Sequence, residues 1–128
     1  MPEVEAIETA TAAIRAAVPG FAPRVGIVLG SGLGAVADAV SDAIDILYTS
    51  IPGFPKPGVA SHAGRLRLGI LGGVPVAVLQ GRAHAYEGHA MTDVVRPVRT
   101  LARLGCTDIV LTNAAGSLRA EVGPGRLM

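Results

Sequence analysis

Three short apolar runs constrain the fold of this chain more than any other feature: residues 25–29, 74–79 and 108–112. Short runs of this kind, nearly all apolar over 25–29 and 74–79 and apolar at 109–111 in the third, mark strands covered on both faces. Helical patterns lie between them. Val4, Ile7, Ile14 and Val18 fall near helical spacing behind Pro2, so residues 3–18 read as an amphipathic helix that Pro19-Gly20 ends. Residues 35–40 predict a short helix. Met91, Val94, Val95, Val98, Leu101 and Ala102 make one helical face, which Pro97 should kink because it removes an intrahelical donor. Residues 43–48 are a further strand candidate, and residues 50–64, with three prolines and three glycines, predict an extended loop. Residues 65–70 alternate as a half-exposed strand does, and Gly72-Gly73 turns the chain back into 74–79 as a hairpin. The order predicts an α/β fold with a mixed central β-sheet flanked by helices.

Each apolar run opens into a loop of small residues carrying polar groups: 30–34, 81–88 and 113–117. In an open α/β sheet, ligands gather beyond the carboxyl ends of the strands. If the three strands are parallel neighbours, their loops converge on one pocket.

The second loop is the richest. Gly81-Arg82-Ala83-His84-Ala85-Tyr86-Glu87-Gly88 collects a permanent cation, an imidazole, a phenol and a carboxylate between two glycines. Arg82 and His84 suit a small oxyanion, Tyr86 an apolar ring or sugar face, and Glu87 can orient His84. The plainer reading is a salt-bridged staple with Tyr86 plugged into the core. Glycines at 30, 32 and 34 let backbone N–H groups approach an anion, with the Ser31 hydroxyl and the positive end of the next helix beside them. The plainer alternative is a tight strand–helix turn. Asn113-Ala114-Ala115-Gly116 is another possible anion nest or a mere turn, and His62 by itself is a surface histidine. No His/Cys/Asp/Glu set has metal-ligand spacing.

A chain of 128 residues, half of them hydrophobic, fits one domain with a core. Net charge of +1 without a basic block, and only 3% aromatic residues, argue against a nucleic-acid partner. Cys106 is the only cysteine, which excludes an internal disulfide and points to a reducing compartment; it should pack as a small apolar residue at a helix–strand junction. The acidic N-terminus lacks a signal-peptide pattern, and no apolar run approaches membrane-spanning length. The expectation is a soluble, cytoplasmic protein with no membrane partner.

Taken together, VGIVLGSGLG (25–34), IPGFP (51–55), HAGRL (62–66), LQGRAHAYEGH (79–89), RPVRTLARLG (96–105) and TNAAGSL (112–118) resemble the trimeric, low-molecular-mass purine nucleoside phosphorylases. The stretches keep the family's order and spacing and cover most of residues 24–125. The resemblance implies phosphorolysis of a purine (deoxy)ribonucleoside to free base and (deoxy)ribose 1-phosphate. Inorganic phosphate would be a co-substrate and no cofactor is needed. Carried over residue by residue, it implies that Ser31, His62, Arg82, His84 and the Ala114 backbone bind phosphate. Tyr86 would contact the ribose, and His84 and Glu87 would be the catalytic pair. It also implies a homotrimer as the family's assembly.

The family's purine-reading residues match no position here. The expectation is therefore that residues 1–128 are the N-terminal part of a single phosphorylase domain, inactive or unstable alone. Two other classes stay open. A non-catalytic phosphate- or nucleoside-binding fragment explains the loops without turnover. A dinucleotide-binding oxidoreductase explains Gly30, Gly32 and Ala35, and would use Asp45 for a ribose.

Overall fold

A computed structural model describes residues 2–56 and 64–128. The elements run α1 (Glu3–Ala17), β1 (Val25–Leu29), α2 (Gly34–Asp38), β2 (Ser41–Leu47), β3 (Arg65–Leu71), β4 (Val74–Gln80), α3 (Met91–Leu104) and β5 (Asp108–Leu111). Single 3₁₀ turns follow β2 at Tyr48–Ser50 and β4 at Ala85–Glu87. The five strands form one mixed sheet in the order β2-β3-β4-β1-β5. β2, β3 and β4 are antiparallel, whereas β4, β1 and β5 are parallel. The expected hairpin is β3–β4, turning through Gly72 (φ +57°) and Gly73 (φ +79°). Two positive φ values in succession twist a turn to match its strands, and glycine adopts them without a Cβ penalty.

The central strands are apolar throughout because both faces are covered. Ala77 and Leu79 of β4 and Val28 of β1 join Ala10, Ile14, Val18, Leu101 and Leu104 in the larger core under α1 and α3. The alternate residues Val76, Val78 and Leu29 meet Ala37 and Val40 on the opposite face. Cys106 is buried just beyond the αL cap Gly105, as expected at a helix–strand junction; desolvation pushes its thiol up to about 11.

Three readings need correction. The buried stripe of α1 is Ala6, Ala10, Thr11 and Ile14, while Val4 is 72% exposed. Small residues at that spacing let α1 lie against α3, and Val4 and Ile7 instead line a surface groove with Arg99 and Ala102. In α3 the buried residues are Pro97, Thr100, Leu101 and Leu104, with Met91 exposed. Finally, β5 is not a buried strand. It is an edge of the sheet, with Val110 46% and Leu111 64% exposed. An apolar run reads alike whether or not its faces are covered.

Candidate functional site

The parallel block β4-β1-β5 sends three chains out of the sheet at one end. Leu29 pairs with Gln80 and Val28 with Leu111, so Gly30, Gly81 and Thr112 leave the sheet side by side. The first and third loops touch backbone to backbone. A Cβ added to Gly30 would lie 2.9 Å from Asn113 Cα and 3.1 Å from the Thr112 carbonyl oxygen, so only glycine fits. The Thr112 hydroxyl locks this approach, accepting from the Gly30 N–H at 2.8 Å and donating to the Val28 carbonyl at 2.7 Å. Sequence reasoning did not single out Thr112; a hydroxyl residue closing an apolar strand was the signal available.

Within 30–34, Ser31 is exposed and Gly32 takes φ +82°. Among the described residues, the N–H groups of Ser31, Gly32, Asn113 and Ala114 have no backbone acceptor. Two loops held against each other thus present free donors, the arrangement an anion nest requires. The expected help from a helix dipole is small, because α2 has only five residues and few peptide dipoles to align.

The loop 81–88 is bracketed by Gly81 (φ +91°) and Gly88 (φ +93°). Between them Ala83 is buried, whereas Arg82 is exposed and makes no ion pair among the described residues. The His84 ring Nδ1–H and the His84 backbone N–H both donate to Glu87 Oε1 at 2.9 Å. These two bonds hold the Glu87 carboxyl below its ordinary value. Glu87 therefore orients His84, and the ring's Nε2 is left for another partner. Tyr86 stacks on the His84 ring, with centroids 4.8 Å apart and planes 19° apart, and is 85% exposed. It is no core plug. At the start of this loop the Tyr48 hydroxyl donates to the Gly81 carbonyl at 2.6 Å; Tyr48 was read from sequence only as the end of a strand. His62 lies outside the described residues.

Asp45 belongs elsewhere. Both its oxygens accept from Arg67, at 2.8 and 2.9 Å, which holds its carboxyl below the usual carboxylate range. It sits on antiparallel β2, separated from β1 by β3 and β4. A dinucleotide fold needs that acid on a parallel strand beside β1, so the oxidoreductase reading fails on topology. Among the described residues no group of three or more His, Cys, Asp or Glu could hold a metal ion. No helix among the described residues is long and apolar enough to cross a membrane.

Known proteins resemble this chain in sequence and in fold. The sequence pattern of the phosphorylase superfamily matches residues 24–128. Purine nucleoside phosphorylase 1 of Bacillus subtilis is 45% identical over 122 residues, which are 95% of this chain and 45% of that protein. A purine nucleoside phosphorylase solved with ribose 1-phosphate superposes with a TM-score of 0.87 at 40% identity, over 95% of this chain and 44% of the other. The Schistosoma mansoni enzyme in complex with inosine superposes with a TM-score of 0.85 at 38% identity, over 95% and 42%. The chain thus spans less than half the length of these relatives.

Proposed function

The chain belongs to the phosphorylase superfamily, and we propose that its three-loop site holds phosphate for the phosphorolysis of a purine nucleoside. The convergence of the Ser31, Arg82 and Ala114 loops at one end of a parallel block supports this reading. So do the relatives, which are purine nucleoside phosphorylases. In this reading Ser31, Arg82, His84, the Ala114 N–H and His62 bind phosphate. Tyr86 meets the ribose, and Glu87 fixes the His84 ring so that Nε2 faces the anion. Phosphate is itself the nucleophile, so the protein needs no nucleophilic side chain. Breaking the glycosidic bond builds positive charge on the ribose, and a phosphate anion held beneath it stabilises that charge while lying in line for attack. No cofactor enters. Residues 1–128 are read as part of one phosphorylase domain, with a cytoplasmic location and the homotrimer as further parts of the proposal.

Phosphate titration of the chain, followed by amide shifts of the three loops, tests this. Saturable binding is expected, weakened by about 10- to 100-fold in Arg82→Ala, the range for losing a charge-assisted hydrogen bond. Absence of saturable binding, or an Arg82→Ala variant with unchanged affinity, refutes it. Inosine is then added and hypoxanthine followed with and without phosphate. Phosphate binding without hypoxanthine would favour the second reading, a binding module without turnover.

A further inference from the structure

We propose that Tyr48 is a positioning residue for the loop carrying Arg82, His84 and Glu87. Tyr48 is 3% exposed and opens the 3₁₀ turn after β2. Its ring meets Phe54 edge-on at 5.4 Å and shares the core with Ile51, Leu66 and Leu79. Its hydroxyl crosses 33 residues of sequence to donate to the Gly81 carbonyl, at the residue where the chain leaves β4 and φ turns positive. Two residues later Ala83 is buried. Arg82 therefore lies between two anchored neighbours, one held by the Tyr48 hydroxyl and one by the core. A peptide segment with both ends fixed has few backbone states left to lose, which is what an exposed guanidinium needs to meet a small anion in one geometry. Burial also pushes the phenol pKa upward, so the hydroxyl remains a donor across the working pH range.

The part of this inference that concerns phosphate rests on the function proposed above; the ordering of the loop does not. Tyr48→Phe keeps the ring against Phe54 and removes only the donor. The first readout is amide exchange by NMR at His84, Glu87 and Gly88, whose N–H groups bond within the loop. Exchange there is expected to quicken by about tenfold, the scale of one lost hydrogen bond, while Val76 to Leu79 keep their protection. The second readout is the phosphate dissociation constant, expected to rise by a similar factor. Phe54→Leu is the control: it disturbs the same core but leaves the hydroxyl bond, so it should lower stability without the local effect. Unchanged exchange at 84–88 in Tyr48→Phe, uniform acceleration along β4, or the same local loss in Phe54→Leu overturns the inference. Local loss of protection in a chain that binds no phosphate upholds the positioning role and refutes the phosphate reading.

Discussion

The three glycines that follow β1 stand in different surroundings, so the same substitution should have three different outcomes. A methyl on Gly30 meets only backbone: Asn113 Cα at 2.9 Å, the Thr112 carbonyl oxygen at 3.1 Å and Asn113 N at 3.3 Å. No flexible side chain can yield, so the third loop must move away and the Gly30–Thr112 bond lengthens. Overpacking costs about 1–3 kcal/mol and the lost hydrogen bond about 1, so Gly30→Ala should cost about 3 kcal/mol. Gly32 has nothing within 4 Å but sits at φ +82°. Its replacement by Ala should cost only the left-handed penalty of about 1–2 kcal/mol. Gly34 opens α2 without a positive φ and with nothing within 4 Å. There Ala restricts the unfolded chain and should stabilise by about 0.4–1 kcal/mol. Urea unfolding reads the series. With a slope of about 2 kcal/mol/M, the midpoint should fall by about 1.5 M for Gly30→Ala and by under 1 M for Gly32→Ala, and rise slightly for Gly34→Ala. If Gly30→Ala is no worse than Gly32→Ala, the first and third loops are not in contact, and the argument for one convergent site fails with them.

Three further outcomes follow from single groups. Thr112→Val removes the hydroxyl between the Gly30 N–H and the Val28 carbonyl; it should cost about 1–3 kcal/mol in urea unfolding, whereas Thr112→Ser, which keeps the hydroxyl, should cost less. Glu87 has a folded-state pKa held below its ordinary 4.5 by the His84 ring and backbone N–H. Its contribution is therefore complete above that value and is lost as pH falls through the lower folded value, so the stability gap between the wild type and Glu87→Gln should narrow as acid is added below pH 4.5. A gap that is constant or widens with acid would show that the carboxylate is not held by these bonds. Cys106 is buried with its thiol pushed up to about 11; iodoacetamide at pH 7.5 should leave it unmodified in the folded chain and label it in urea.

Local pattern made the elements legible, and contacts distant in sequence decided the rest. The runs that became β1 and β4 announce themselves because burial on two faces demands apolar side chains at successive positions, and β3 announces itself by its alternation of Arg and Leu. Gly72-Gly73 announces its turn because two positive φ values admit little else. Strand order is different. That β1 lies between β4 and β5 depends on pairings across about fifty and eighty residues, for example Val25 with Val76 and with Asp108. Nothing in a local window encodes them, so the convergence of the loops had to be assumed.

The same division runs through the site. Arg82, His84, Tyr86 and Glu87 are visible because chemistry-bearing residues crowd one short segment, and the His84–Glu87 bond spans only three residues. The residues that anchor the loops were not visible: Thr112 meets Gly30 across 82 residues and Tyr48 meets Gly81 across 33. Asp45 shows the converse error, since a carboxylate after a glycine loop suits a ribose until its pairing with Arg67 across two antiparallel strands is known. A ligand contact requires a side chain of the right chemistry, which composition reveals. Holding that side chain still requires a buried hydrogen bond to a backbone carbonyl or N–H, and any hydroxyl in the chain could supply it. Beyond a hydroxyl at the end of a strand, the anchoring residues carry no signature of their role, so that role becomes identifiable when the fold brings their partners to them.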